Sequence, residues 1–284
     1  MQLAERYGAE IVSCDSMQIY TGCDVGTAKP SPAERARVPH HLIDVTTPDE
    51  RYSAARWAEE ASRALAAVAA RGRPVILVGG TGLYLRALRF GLVDAPACDD
   101  TLRERLVELE RVEPGALHRR LCEVDPEGAR RIGERDLVRL VRSLEVYELT
   151  GTPLSQLHAN QGERERTAMC VLALDPPMDE LTQRITDRAE AMLRGGLIEE
   201  TQRLRAQYGP AIRPLAAVGY AEVSAFLDGK LRSSELSSAI VRATRQYARR
   251  QRTWWKKEPG AAFYPSASAL FAAEHDHLSE LLAA

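Results

Sequence analysis

A run of apolar residues that ends in a glycine-rich turn constrains the fold of this chain most. Residues 74–78 read PVILV and continue directly into GGTGLYL. A short apolar run of this kind predicts a buried strand, and the glycines allow an immediate turn into a helix. A similar run, EIVS at residues 10–13, leads into a polar loop at 14–30. Strands that alternate with helices predict an α/β fold with a parallel sheet.

The remaining pattern predicts a discontinuous core. Further strands are expected at residues 171–174 and 262–264, and helical spacing covers 101–149 and 178–257. We therefore predict an α/β core formed by residues 1–177 plus 258–284. A helical subdomain, residues 178–257, is inserted before the last strand.

Composition excludes several classes of protein. The 284 residues are 45% hydrophobic and 27% charged, which suits a globular protein with a large core. We expect no membrane partner and a cytoplasmic location, because no apolar run approaches about 20 residues and no signal peptide begins the chain. The five cysteines and the pair His40-His41 lack ligand spacing, so we expect neither disulfides nor a zinc site.

Two polar residues follow the two best strands. Thr81 lies within the glycine-rich turn, and Asp15 follows the strand at 10–13. Because the carboxyl ends of parallel strands share one sheet edge, we expect both side chains there, where open α/β sheets bind ligands. Asp15 could act as a general base, hold a metal through water, or only cap its loop. The glycines could allow a ligand to approach or only permit a tight turn.

The strongest charge feature is a basic helix near the carboxyl end. Residues 236–257 contain seven cations and no acid, although the net charge of the chain is only −2. At helical spacing, one face carries five of them: Arg242, Arg245, Arg249, Arg252 and Lys256. A phosphate backbone suits such a face, the alternative being a solvated basic surface. The adjacent Trp254 and Trp255 could stack on bases or pack on the core.

Five segments occur in a characteristic order: DSMQIYTGCDVGTAKP, VPHHLID, VGGTGLYLRAL, RSLEVYELTGTPLS and RQYARRQRTWWKK. Together they resemble the tRNA dimethylallyltransferase family over nearly the whole chain. The resemblance implies transfer of a dimethylallyl group from dimethylallyl diphosphate to N6 of adenosine 37, next to the anticodon, with Mg²⁺ required. It also implies a core similar to that of P-loop kinases, and the partner is the tRNA anticodon stem-loop. We expect a monomer.

The resemblance also assigns residues. Asp15 would be the general base, Thr81 would assist at the reaction centre, and Arg103 would contact tRNA or diphosphate. The residues implied to contact tRNA are Asp15, Ser16, Met17, Gln18, Val138, Arg139, Leu140, Val141, Arg142, Val218, Gly219, Tyr220, Arg249, Arg250, Gln251, Arg252, Thr253, Trp254, Trp255 and Lys256.

The chain departs from the family pattern in one respect. The resemblance implies a first strand and a glycine-rich loop ending in Gly-Lys-Ser/Thr, and the sequence contains no such motif. We hypothesise that the start is internal and that about 20 to 25 residues, carrying the first strand and P-loop, are absent. The rival interpretations are a catalytically inactive tRNA-binding paralogue and a small-molecule kinase, the latter disfavoured by the missing phosphate loop.

Overall fold

The computed structural model describes residues 1–161 and 165–273, and the chain divides into two compact units. The first unit comprises Met1–Arg89 and Thr167–Ala284, and the second comprises Phe90–Arg166. The segment predicted as a separate subdomain, 178–257, therefore belongs to the first unit.

The strands of the first unit are all parallel. They are β1 (Glu10–Cys14), β2 (His40–His41), β3 (Val75–Gly79), β4 (Val171–Leu174) and β5 (Ala261–Tyr264). One sheet has the order β2-β1-β3, and β4 pairs with β5 in a second sheet. The α/β class with parallel strands is confirmed, but the described strands form two sheets rather than one, because β3 and β4 are not paired.

Helices surround these strands in the first unit. They are α1 (Gln2–Tyr7), α2 (Pro32–Arg37), α3 (Ala54–Ala69), α4 (Gly82–Phe90, whose last residue begins the second unit), α10 (Met178–Arg194), α11 (Leu197–Tyr208), α12 (Tyr220–Leu227), α13 (Ser233–Trp255) and α14 (Ala267–Ala273), with a 3-10 helix at Arg213–Ala216. Glycines separate two pairs of these elements: Gly196 and Gly209, which adopt positive φ angles, lie at the two ends of α11.

A single apolar cluster joins the sheet to the later helices. Trp57 is fully buried, its indole N–H donates to the Ser13 carbonyl at 3.1 Å, and its ring stacks on Tyr84 at 4.8 Å. Leu197 and Leu236, from α11 and α13, lie in the same cluster. This shared burial explains why residues 178–257 are not a separate unit, since their apolar faces contact the core directly.

The second unit is helical. Its helices are α5 (Asp100–Val112), α6 (Ala116–Val124), α7 (Pro126–Arg131), α8 (Leu137–Thr150) and α9 (Leu154–Gln161). Leucines from α5, α6 and α8 form its own apolar cluster, including Leu106, Leu117 and Leu144. No helix in the described part of the chain combines the length and apolarity needed to cross a membrane.

Candidate functional site

Asp15 and Thr81 lie together at the carboxyl edge of the three-stranded sheet. Strand β1 pairs with β3 so that Cys14 lies opposite Gly79, and both strands end there. The Ser16 N–H donates to Thr81 Oγ1 at 3.0 Å, and the Thr81 N–H donates to the Cys14 carbonyl at 3.1 Å. The predicted meeting of the two strand ends is confirmed, and two hydrogen bonds fix its geometry.

The two oxygens of the Asp15 carboxylate have different surroundings. Oδ1 accepts hydrogen bonds from the N–H groups of Met17 at 2.7 Å and Gln18 at 3.2 Å. This is the local turn that aspartate favours after a strand. Within the described residues Oδ2 accepts no hydrogen bond, so one oxygen caps the loop and the other is available for a proton.

The glycine-rich turn packs against the chain itself. A Cβ added to Gly79 would overlap the backbone of Cys14, and one added to Gly80 would overlap the amide of Gln251. Gln251 Nε2 also donates to the Gly80 carbonyl at 3.1 Å. Close approach of β1 and α13 thus accounts for these glycines. Of the two sequence interpretations, the tight turn is the one supported.

One face of α13 covers this turn. Tyr247, Gln251 and Trp254 recur at intervals of four and three residues, so they share a face. Trp254 lies against Gly82, and its indole nitrogen is buried with no hydrogen-bond partner among residues 1–161 and 165–273. Tyr247 was not predicted as a site residue from the sequence, although its spacing of four residues from Gln251 places both on one helical face.

Tyr247 is electrostatically coupled to Asp15. Burial raises the pKa of the Tyr247 hydroxyl, and the negative charge of Asp15 raises it further. The residue as a whole keeps 39% of its surface exposed. The Tyr247 hydroxyl therefore lies within electrostatic range of the Asp15 carboxylate.

The cations of α13 are not equivalent. Arg242 and Arg249 are exposed, and no acidic partner contacts them in the described part of the chain. Arg252 instead forms an ion pair with Asp175 at 2.5 Å, and Arg250 lies over the Tyr247 ring at 5.7 Å. The predicted face of five cations therefore carries less positive charge, because Asp175 neutralises Arg252.

The other residues of the first unit that were predicted to contact tRNA differ in exposure. Trp255 packs against the apolar cluster, whereas Thr253 and Lys256 are exposed. Tyr220 is fully buried and Gly219 is buried beside it. Direct contact between the Tyr220 side chain and tRNA is therefore a prediction that the structure does not favour.

The residues of the second unit that were predicted to contact tRNA also include both buried and exposed side chains. Leu140 and Val141 are buried in its cluster, so their side chains are not surface contacts. Val138 is 80% exposed and Arg139 is also exposed. Arg103 belongs to this unit, whereas Asp15 and Thr81 belong to the other.

Arg103 and Arg142 share one buried carboxylate, that of Glu145. Arg103 donates two hydrogen bonds, at 2.8 and 2.9 Å, and Arg142 donates one at 2.6 Å. Burial raises the pKa of Glu145, but hydrogen bonds from Arg103 and Arg142 outweigh burial and hold that pKa below its usual range. The assignment of Arg103 to catalysis stays a prediction.

No group of three or more carboxylate, histidine or cysteine side chains converges on one point in the described ranges. These residues therefore provide no all-protein metal cage. Mg²⁺ commonly uses one or two carboxylates together with substrate phosphates and water, which a single carboxylate such as Asp15 can satisfy.

Asp15 and the Thr81 hydroxyl, at parallel strand ends under a partly basic helix, form the candidate ligand site of an α/β protein at the carboxyl edge of its sheet. The sequence model of the IPP transferase family matches residues 18–258. The chain belongs to this family.

Curated relatives are similar over most of their length. The tRNA dimethylallyltransferase of Anaeromyxobacter sp. (strain Fw109-5) is 50% identical over 260 residues, covering 91% of this chain and 86% of that protein. The tRNA dimethylallyltransferase 2 of Geotalea uraniireducens (strain Rf4) is 46% identical over 261 residues, covering 91% of this chain and 84% of that protein.

Solved structures agree. The tRNA isopentenylpyrophosphate transferase of Bacillus halodurans has a TM-score of 0.70 and 33% identity, covering 99% of this chain and 90% of that one. A eukaryotic dimethylallyltransferase acting on tRNA has a TM-score of 0.79 and 27% identity, covering 99% of this chain and 73% of that one.

Proposed function

We propose that this chain transfers a dimethylallyl group from dimethylallyl diphosphate to N6 of adenosine 37 in tRNA. Membership of the family and the names of its relatives support the reaction. The observation that carries the assignment to this site is the meeting of Asp15 and Thr81 at the ends of β1 and β3.

Asp15 is the proposed general base. The N6 amine attacks C1 of the allyl group, the C1–O bond breaks, and diphosphate leaves with the bonding electrons. The amine proton passes to Asp15, whose Oδ2 is free of described hydrogen bonds. An adenine amine is a weak nucleophile, so proton acceptance during bond formation lowers the barrier.

Thr81 is the proposed donor to the leaving group. Its Oγ1 accepts a hydrogen bond from the Ser16 N–H, which orients the side chain and leaves the hydroxyl hydrogen free to donate. A donor placed where negative charge develops stabilises the transition state. Tyr247, on the face of α13 that covers the glycine-rich turn, is a second proposed donor at this edge.

The RNA is proposed to lie along the exposed cations of α13. Arg249, Arg250 and Lys256 are exposed, and their charges suit a phosphate backbone. Adenosine 37 leaves its stack to reach the strand ends, as target bases of other base-modifying enzymes do. In this arrangement Ser16, Met17 and Gln18 lie beside the target base.

Mg²⁺ is proposed to bind with the diphosphate, whose negative charge it neutralises. Diphosphate oxygens and water supply most of its ligands, because the described residues offer no converging cage. We also propose that the protein works as a cytoplasmic monomer with the anticodon stem-loop as its partner.

A second candidate is a tRNA-binding protein without transfer activity. The exposed cations of α13 suit a phosphate backbone whether or not transfer takes place at the strand ends. Tight binding of tRNA without any transfer would favour this alternative.

Transfer of labelled dimethylallyl to an anticodon stem-loop with adenosine at position 37 tests the proposal. We expect incorporation by the wild-type chain and a loss of at least about 100-fold in Asp15→Asn. Asp49→Asn, which changes an exposed aspartate, is the matched control. Equal incorporation by wild type and Asp15→Asn would remove Asp15 from the mechanism.

A further inference from the structure

Glu200 is a buried carboxylate outside the reaction centre. It lies on α11 with 6% of its surface exposed. Its ion pair with Arg203 is long, at 3.9 Å. A buried carboxylate without a close cation is costly unless hydrogen bonds satisfy it. The donors around Glu200 therefore indicate what this residue does.

Those donors are successive backbone amides of one loop. Oε2 accepts from the N–H groups of Asp24 and Val25, each at 2.9 Å, and Oε1 accepts from the N–H of Gly26 at 3.0 Å. Consecutive amides that converge in this way form a concavity for an anion. Here the anion is a side chain from a helix about 175 residues further along the chain.

Tyr220 completes this arrangement. Its hydroxyl donates to Glu200 Oε1 at 2.6 Å, and its ring lies so close to Gly26 that a Cβ there would overlap it. The loop is therefore held by its amides on one side and by an aromatic ring on the other.

The held loop contacts Gln18 in turn. Gln18 Nε2 donates to the Thr27 carbonyl at 3.2 Å, and the Ser13 hydroxyl donates to Gln18 Oε1 at 3.0 Å. Because a carbonyl can only accept, the position of Thr27 determines which end of the Gln18 amide faces it. One N–H and one lone pair of Gln18 stay available, a combination that matches an adenine edge.

We propose that Glu200 and Tyr220 are positioning residues that orient Gln18 toward the target adenine. They act through the backbone of residues 24–27 rather than by touching RNA. This inference rests on the proposed function, since it takes the ligand of Gln18 to be the adenosine to be modified.

The test measures binding of two anticodon stem-loops by the full chain, one with adenosine at position 37 and one with purine riboside, which lacks the N6 amine. We expect Glu200→Gln to weaken binding of the adenosine RNA about tenfold and to abolish the preference for it. Tyr220→Phe keeps the ring on Gly26 and should show a smaller effect in the same direction. Glu199→Gln changes the exposed neighbour and should change nothing.

A double-mutant cycle with Gln18→Ala separates positioning from general destabilisation. If Glu200 acts through Gln18, then Glu200→Gln should have little further effect in the Gln18→Ala background. Fully additive losses, or an unchanged preference for adenosine in folded Glu200→Gln and Tyr220→Phe, would overturn the inference alone. Failure of the wild-type chain to bind either RNA would overturn the proposed function as well.

Discussion

Arg103 forms a two-bond ion pair with Glu145, which is fully buried on α8. Removal of Arg103 leaves the carboxylate with Arg142 and the Asp99 N–H as its donors. We expect Arg103→Ala to lower the free energy of unfolding by about 2 kcal/mol, measured by urea denaturation. Arg105→Ala removes a side chain on the same helix that is 70% exposed in its ion pair with Glu148, and should cost much less. Equal effects of the two variants would contradict this structural role.

Glu145 should also make stability depend on pH. Its folded pKa lies below the ordinary value of 4.5, so its stabilising contribution is present above pH 4.5 and is lost as the pH falls through the folded pKa. Unfolding free energies of wild type and Glu145→Gln should therefore converge between pH 5 and pH 3, roughly the range over which carboxylates titrate. A constant difference across that range would show that Glu145 does not titrate differently on folding.

Gly79 and Gly80 of the glycine-rich turn should tolerate an added methyl group to different degrees. Gly79→Ala meets the backbone of Cys14, whereas Gly80→Ala meets the end of the flexible Gln251 side chain. We expect a loss of about 2–3 kcal/mol for Gly79→Ala and a smaller loss for Gly80→Ala, measured by thermal unfolding. Gly133→Ala, where the new methyl group meets nothing within 4 Å, is the control. The reverse order for Gly79 and Gly80 would contradict the described packing.

The exposed Arg249 and the ion-paired Arg252 of α13 should have different effects when they are replaced. Arg249→Ala removes an exposed charge and should reduce the salt dependence of tRNA binding by about one unit of slope, with no loss of stability. Arg252→Ala breaks the pair with Asp175 and should lower the melting temperature. Arg184→Ala, an exposed arginine on α10, controls for net charge. An unchanged salt slope in Arg249→Ala would exclude that residue from the RNA contact.

Much of the first unit could be predicted from local sequence. The strands at 10–13, 74–78, 171–174 and 262–264 were each placed within one residue of those observed. Short apolar runs followed by turn residues leave few alternatives, and the common edge of parallel strands then brings Asp15 and Thr81 together.

The division into units could not be predicted in this way. The helices of both 90–166 and 178–257 have apolar faces, and periodicity shows that a face is buried without showing what buries it. The partners of Glu200 could not be predicted either, because the sequence does not show which backbone amides a side chain contacts. Arg103 could be assigned a role by resemblance, but its partner 42 residues further on could not be read from spacing.

Helix α13 carries Arg249 and Gln251 on one continuous element, with Gln251 bonded to the Gly80 carbonyl. Gln251, which bonds the turn that carries Thr81, therefore lies about 3 Å along the helix axis from the exposed arginine. The proposed RNA surface and the strand ends are therefore connected through one helix, without an intervening loop.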